Sequence, residues 1–222
     1  MTALEILSLI GIDILLSGDN AVVIALAASK VPQHLRNRAI FGGTIMAILL
    51  RILAATVLIQ FLGLPFLQLV GGLILLRISY NLIAHKEEEN TKINASDKVI
   101  GAIKTIAIAD FTMSIDNVIA LSSVADGILP IIIGIAISIP IIIFGSKLLT
   151  NLMERFPIIV YVGAGLLTYA AGKMMVEDKG LEKLPINVPE SLHSIIPIAM
   201  AIILVVVVYI KNNIAKEAKA TT

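Results

Sequence analysis

Seven apolar stretches follow one another along the chain, each long enough to cross a lipid bilayer as a helix. A single crossing needs about 20 mainly apolar residues, because an α-helix advances about 1.5 Å per residue. The pattern therefore predicts an all-α polytopic membrane protein with seven transmembrane helices. We place the spans at residues 4–28, 39–62, 65–84, 101–125, 128–149, 157–175 and 192–210.

The composition agrees with this pattern. The chain has 222 residues, of which 58% are hydrophobic and only 15% are charged, and its mean hydropathy is +0.97. Such a chain is too apolar for a soluble domain. It contains no cysteine, which excludes disulfides and thiolate metal sites. The net charge of +1 argues neither for nor against nucleic acid. The sequence has no basic patch interleaved with aromatic residues, and we expect no nucleic-acid partner.

An eight-residue polar pattern occurs twice inside these apolar segments. The first copy runs from Asp13 to Asn20 and the second from Asp110 to Asn117, and both have the form D-x-x-x-S-x-D-N. An Asp at the centre of a membrane helix costs about 2.5–3.5 kcal/mol on insertion scales. Four such carboxylates are costly, and ionisable groups inside a membrane usually mark an ion or proton path.

The distribution of basic residues predicts the orientation. With the N-terminus outside, most Lys and Arg residues of the loops fall on the inner side, and the outer loops hold only Lys173, Lys179 and Lys183. Cytoplasmic loops carry an excess of Lys and Arg. We therefore expect the N-terminus outside and the C-terminus in the cytoplasm.

The two motif helices then run in opposite directions, because three spans separate the two motif copies. This is an inverted 3+3 helix repeat with one extra helix, an arrangement found in many secondary transporters. The predicted segments are a first repeat at 1–84, a charged cytoplasmic linker at 85–100, a second repeat at 101–176, an external loop at 177–191, and a seventh helix with a basic tail at 192–222.

The motif side chains offer oxygen ligands. On a helix Asp13, Ser17 and Asn20 share one face, as do their counterparts in the second copy. Carboxylate, amide and hydroxyl oxygens suit a hard divalent cation such as Mg²⁺, Mn²⁺ or Ca²⁺. Gly18 would allow an unwound turn that brings Asp19 into the site. The supporting residues are Ser17, Ser114, Gly18 and Arg51, and we expect Arg51 to neutralise an Asp when no cation is bound.

The paired motifs resemble those of the TerC family, within the LysE-type transporter group. The resemblance rests on Ser17 to Ala21 and Ser114 to Val118 and covers essentially the whole chain. It implies a Mn²⁺ exporter in a bacterial cytoplasmic membrane, and it alone favours Mn²⁺ over Mg²⁺ or Ca²⁺. The ion site implied by the resemblance consists of Asp13, Asp19, Asn20, Asp110, Asp116 and Asn117.

The expected mechanism is alternating access with the divalent cation as cargo, and proton counter-transport is a hypothesis for its coupling. We expect no enzymatic activity and no organic cofactor. Beyond the bilayer, the alternatives left open include a homo-oligomer and a membrane or secretion-associated protein partner. A non-transporting accessory protein is the main rival function. Amino-acid export is less well supported, because Arg51 is the only evident group that could bind a carboxylate. An intramembrane aspartyl protease is disfavoured because Leu16 and Ile115 break its Gly-x-Gly-Asp context.

Overall fold

The protein is helical wherever its structure is described. A computed structural model describes residues 18–57, 64–84, 95–122, 128–181 and 189–220, and these contain no β-strand. They form seven α-helices and one 3₁₀ turn, Gln33–Leu35. The helices are α1 (Gly18–Ser29), α2 (Arg36–Val57), α3 (Leu67–Ile83), α4 (Ala95–Ser122), α5 (Ile128–Arg155), α6 (Ile158–Val176) and α7 (Glu190–Ala220).

The all-α class predicted from the sequence is confirmed. Among the described residues, three helical segments are long and apolar enough to cross a membrane: Gln33–Ala54, Ile158–Val176 and Leu192–Ile214. Helices α1 and α3 are apolar but shorter as described. The count of seven spans and the inverted repeat remain predictions. Much of the predicted linker, at 85–94, and part of the external loop, at 182–188, lie outside the described residues.

The chain divides into two compact units that do not follow the linear segments. The first unit contains Met1–Leu64 and Ile93–Phe156, and therefore helices α1, α2, α4 and α5. The second contains Pro65–Lys92 and Pro157–Thr222, and therefore α3, α6 and α7. Each unit thus draws helices from both halves of the sequence.

In the first unit, small residues allow the helices to pack closely. Helix α1 contacts α2, α4 and α5, and its alanines at 25, 27 and 28 are buried. Glycines of α2 lie directly against α4, since a Cβ at Gly42 would collide with Ile103 and one at Gly43 with Ile106. Large apolar side chains of α2, such as Leu49, are exposed on another face. A membrane protein is expected to present such a face to lipid.

In the second unit, α3 packs against α6 through small and hydroxylated residues. The Ser79 hydroxyl lies 2.8 Å from the Ala164 carbonyl oxygen and 2.8 Å from the Thr168 hydroxyl. A Cβ at Gly72 would lie 2.6 Å from the carbonyl oxygen of Ala171. The two backbones therefore approach so closely that only glycine fits at position 72.

Both ends of α3 are capped by side chains from distant parts of the chain. The buried Asp178 carboxylate accepts hydrogen bonds from the backbone N–H groups of Phe66 (2.8 Å) and Leu69 (2.9 Å) at the N-terminal end. At the other end, the Asn212 amide donates to the Ile83 carbonyl at 3.0 Å. Helix ends leave four N–H and four C=O groups without helical partners. Asp178 and Asn212 supply partners for some of them, and the anion also suits the positive N-terminal end.

Candidate intramembrane polar site

The second copy of the polar motif lies within helix α4. Asp110 is only 6% exposed and Ser114 is fully buried. The Ser114 hydroxyl donates to the backbone carbonyl of Asp110 at 2.6 Å, a common bond of serine within a helix. The backbones of Asp116 and Asn117 are helical, and their side chains lie outside the described part of the structure. Asp110 is therefore the buried acid that this copy presents among the described side chains.

Asp110 forms an ion pair with Arg51 of helix α2. The distance from Arg51 Nη2 to Asp110 Oδ1 is 2.5 Å. Arg51 is 4% exposed, so both charges are removed from solvent. The sequence predicted that Arg51 could neutralise an intramembrane Asp, and the structure identifies Asp110 as the partner. A cationic group thus lies against the acidic motif.

The first copy of the motif is described from Gly18 onward. Gly18, Asp19 and Asn20 are helical, so the unwound turn expected at Gly18 does not occur at these three residues. Asp13 and Ser17 lie outside the described residues. Asp19 Oδ1 accepts a hydrogen bond from the Asn20 backbone N–H at 2.9 Å.

Asp19 connects the two motif copies electrostatically. It interacts with the charges of both Arg51 and Asp110, and helix α1 contacts both α2 and α4. Such interactions extend only about 10 Å where solvent screens them, and further where it does not. Asp19 therefore lies within electrostatic range of the Arg51–Asp110 ion pair.

Asn20 is buried beside this site without a hydrogen-bond partner among the described residues. The residue is 2% exposed, and neither its Oδ1 nor its Nδ2 atom is hydrogen-bonded to any residue that the structure describes. Most buried polar groups in proteins have a partner, and leaving one unpaired costs about 1–3 kcal/mol. A polar group kept at this cost is a candidate to bind a ligand.

Thr44 is a polar residue of this region that the sequence did not reveal. It is 3% exposed, and its hydroxyl has no hydrogen-bond partner in the described part of the chain. It lies two turns before Arg51 on the buried face of α2, which also carries Ala47 and Ala54. The spacing from Arg51 was a usable signal, because residues two turns apart share a helix face.

The described acidic groups do not by themselves form a metal centre. Within residues 18–57, 64–84, 95–122, 128–181 and 189–220, no three His, Cys, Asp or Glu side chains converge on a common metal position. The side chains of the other two motif carboxylates, Asp13 and Asp116, lie outside the described part of the structure. The described donors are carboxylate, amide and hydroxyl oxygens, which suit a hard cation rather than a soft one.

A second charged group lies at another level of the first unit. Arg36, at the start of α2, pairs with Glu154 near the end of α5, with Nη1 and Oε1 2.5 Å apart. Gln33 donates to the same carboxylate at 3.2 Å. The hydrogen bond from Arg36, with a smaller contribution from Gln33, lowers the pKa of Glu154 below its ordinary 4.5. Glu154 lies beyond the predicted span at 128–149, so this cluster ties the α1–α2 connection to α5 outside that span.

Apolar helices that enclose an ion pair and unpartnered polar side chains define an integral membrane protein with an internal polar site. Comparison with known proteins places it within a family. Residues 1–220 match the family described as "Integral membrane protein TerC family". The chain therefore belongs to the TerC family of integral membrane proteins.

Its relatives are bacterial membrane proteins. The chain is 42% identical over 179 residues to the "Uncharacterized membrane protein YjbE" of Bacillus subtilis, covering 80% of this chain and 82% of that protein. It is 28% identical over 194 residues to the "UPF0053 protein YegH" of Escherichia coli, covering 79% of this chain but only 37% of that protein. "Uncharacterized membrane protein YceF" of B. subtilis is 24% identical over 215 residues, with coverage of 93% and 82%. No solved structure matches the chain.

Proposed function

We propose that this protein is a membrane transporter that exports a divalent cation, with Mn²⁺ as the favoured cargo. The cation passes through the polar site shared by helices α1, α2 and α4, and the transporter alternates between inward-facing and outward-facing states. The proposal includes seven spans, with the N-terminus outside and the C-terminus in the cytoplasm. It includes no catalytic activity and no organic cofactor.

The observation that carries the proposal is the buried pair of Arg51 and Asp110. A buried ion pair gains little stability over an apolar packing of the same volume, so its retention calls for another reason. The Arg51 guanidinium places a positive charge beside the Asp110 carboxylate, where a bound cation would also place positive charge. Arg51 then acts as a tethered substitute that balances Asp110 while the site contains no cargo.

Cation entry is an exchange in this scheme. A divalent ion that binds Asp110 displaces the guanidinium, and the ion also gains the nearby Asp19 carboxylate and the unpartnered Asn20 amide oxygen. Asp13, Asp116 and Asn117 complete the proposed ligand set by analogy with the duplicated motif. Proton counter-transport would neutralise the remaining carboxylates on the return of the empty carrier.

The contacts of the first unit support the inverted repeat. Helices α2 and α4 pack together, as do α1 and α5. In the proposed repeat, α1 corresponds to α4 and α2 corresponds to α5. Exchanging the corresponding helices turns the α2–α4 contact into the α1–α5 contact, and it leaves the α1–α4 and α2–α5 contacts unchanged. A pseudo-two-fold relation between repeats produces this pattern, and transporters of this design place the substrate near such an axis.

The donor chemistry supports a hard divalent cation, and family resemblance supports Mn²⁺. Amide and carboxylate oxygens bind Mg²⁺, Mn²⁺ and Ca²⁺ alike, so the residues by themselves do not rank these ions. The names of YjbE and YceF identify them as membrane proteins, and none of the three relatives' names gives a cargo. Mn²⁺ is therefore the first cation to test, and Mg²⁺ and Ca²⁺ are the comparisons.

The test is cation flux through purified protein in liposomes. Vesicles loaded with a Mn²⁺-sensitive dye are compared for wild type, Asp19→Asn, Asp110→Asn and Asp116→Asn. Each substitution keeps the side-chain shape and removes the charge. The matched control is Asp97→Asn, which makes the same change in the first turn of α4, where Asp97 is exposed. We expect Mn²⁺ flux in wild type and in the control, and loss of flux in the three motif variants.

A non-transporting accessory protein, associated with a membrane or secretion partner, is the second candidate. It is favoured by the fact that Arg51 already balances Asp110, as a purely structural ion pair would. This alternative predicts no flux of Mn²⁺, Mg²⁺ or Ca²⁺ in either direction with wild-type protein. It also predicts that the Asp→Asn variants remain functional in cells.

A further inference from the structure

The hydroxyl of Thr44 stands apart from the other buried hydroxyls of the described structure. Six further Ser and Thr residues are buried there, and every one has a hydrogen bond. These residues are Ser79, Thr112, Ser114, Ser146, Thr150 and Thr168. Four of them donate to the carbonyl four residues earlier, the usual bond of a helical hydroxyl. Thr44 sits in a helix with that option and does not use it.

Thr44 lies at the depth of the unpartnered Asn20. The α1 and α2 helices contact each other and are joined by the short connection from Lys30 to Leu35. Helices joined in this way run antiparallel. Two residues that are equally many positions along the chain from the middle of the connection then lie at the same height along the helix pair. Asn20 and Thr44 meet this condition to within one residue. The two buried and unpartnered polar side chains of α1 and α2 therefore occupy one level.

Arg51 extends toward the same level. Helical side chains point back toward the N-terminus of their own helix, so we expect the Arg51 guanidinium to lie nearer the level of Thr44 than the Arg51 Cα does. Asp19, adjacent to Asn20, interacts with this guanidinium and with Asp110. Thr44 is thus placed among the charged groups of the proposed site rather than in a separate part of the bundle.

We propose that Thr44 supplies a neutral oxygen ligand to the transported cation, so that α2 contributes a direct contact in addition to Arg51. The assignment rests on the proposed cation transport. A threonine hydroxyl can coordinate a hard cation through an oxygen lone pair while its O–H group donates a hydrogen bond to a nearby carboxylate. With Asn20 it adds uncharged oxygens to a site rich in carboxylates.

A structural role for the Thr44 hydroxyl predicts that removing it destabilises the metal-free protein. The ligand role predicts no such loss, because valine fills about the same volume without an unpaired hydroxyl. Thr44→Val should therefore unfold at the same temperature as wild type or higher. Thr168→Val is the matched control in the second unit, because the Thr168 hydroxyl is bonded to Ala164 and Ser79. That variant should unfold at a lower temperature.

The experiment measures binding of Mn²⁺ alone to detergent-purified protein by calorimetric titration, together with thermal unfolding without the metal. We expect Thr44→Val to weaken Mn²⁺ binding roughly tenfold or more, as the loss of one hydrogen-bond-like contact to a charge does. Thr44→Ser restores the hydroxyl and should bind within about threefold of wild type. Thr168→Val should bind Mn²⁺ as wild type does. Thr44→Ala serves as a second hydroxyl-free variant if the valine variant does not fold.

Two results overturn the assignment while leaving the proposed function intact. One is wild-type Mn²⁺ affinity in the hydroxyl-free variants. The other is equal weakening in Thr44→Ser and Thr44→Val, which would show that shape rather than the hydroxyl matters. Failure of the wild-type protein to bind Mn²⁺, Mg²⁺ or Ca²⁺ is a different result, because it removes the proposed transport function and this inference together.

Discussion

Replacement of Arg51 by methionine tests whether the guanidinium neutralises the buried Asp110 carboxylate. Methionine keeps much of the length of the side chain and removes the guanidinium, which leaves Asp110 without the partner that lies 2.5 Å away. The two side chains are only 5% and 7% exposed, so solvent cannot take over the role of the arginine. We expect a large loss of stability in the absence of divalent cations.

The size of this loss can be bounded in two ways. Removing one partner of a buried ion pair typically costs about 3–5 kcal/mol. An aspartic acid in water, with a pKa of about 3.9, requires about 4 kcal/mol to be protonated at pH 7. Protonation of Asp110 in the variant therefore caps the loss near 4 kcal/mol at pH 7. Because each pH unit is worth about 1.4 kcal/mol, the cap falls to about 1.5 kcal/mol at pH 5.

The assay is reversible unfolding in mixed micelles, followed by circular dichroism, for Arg51→Met, Asp110→Leu and the double variant. The double variant should recover much of the stability lost in Arg51→Met, because no unpaired charge remains. Mn²⁺ should stabilise Arg51→Met more than wild type at equal concentration. A tenfold gain in affinity, from removal of the tethered competitor, corresponds to about 1.4 kcal/mol.

Three outcomes would refute this reasoning. A loss below about 0.5 kcal/mol at pH 7, the size of an ordinary surface change, would show that the pair is not electrostatically isolated. A loss that does not shrink between pH 7 and pH 5 would show that Asp110 is not the group left unpaired. Equal stabilisation of wild type and Arg51→Met by Mn²⁺ would show that Arg51 does not compete with the cation.

Three further predictions concern residues outside this pair. Asp178→Ala removes the carboxylate that caps α3 and should destabilise the protein by about 1–3 kcal/mol in the same unfolding assay, with Asp178→Asn losing less. Gly72→Ala places a methyl group 2.6 Å from a backbone oxygen and should cost about 1–3 kcal/mol, whereas Gly101→Ala, which meets nothing within 4 Å, should not destabilise. The lowered pKa of Glu154 stabilises the folded state above pH 4.5, and this contribution is lost as the pH falls through the lower folded-state pKa. Unfolding between pH 6 and pH 3 should therefore show a small acid-dependent loss that is absent in both Glu154→Gln and Arg36→Gln.

The apolar pattern predicted the middle of each helix better than its ends. Helix α6 (Ile158–Val176) nearly coincides with the span predicted at 157–175. By contrast, α4 begins at Ala95 rather than near 101, and α7 continues to Ala220 rather than ending near 210. Hydropathy detects the part of a helix that suits lipid, whereas backbone hydrogen bonding continues into charged turns such as the one that holds Asp97.

The candidate site was only partly visible in the sequence. The duplicated acids and Arg51 were recognisable because charges are rare in apolar segments. The identity of the partner was not, because Arg51 and Asp110 are far apart in the chain and meet only through the packing of α2 against α4. Thr44 was missed for a different reason. A threonine in an apolar helix normally bonds to its own backbone, and only the folded structure shows that this one does not.

Arg51 also breaks the symmetry that the repeated motif suggests. The sequence of α2 and the segment after it can be aligned with that of α5, with Gly42 matched to Gly134 and Pro65 to Pro157. In this alignment Arg51 corresponds to Ile143, and Thr44 corresponds to Ala136. The two acidic motifs are equivalent in sequence, but the α5 position that corresponds to Arg51 holds an apolar residue. In the proposed cycle the transporter changes between its outward-facing and inward-facing states with an empty site. The carboxylates of that site must then be neutralised, since unpaired charges inside the membrane are costly. Because Arg51 balances one carboxylate whenever no cation is bound, the return step in this proposal needs one fewer proton. In this proposal the single arginine therefore lowers by one the number of protons exchanged per cation, an asymmetry that a perfectly symmetric repeat could not provide.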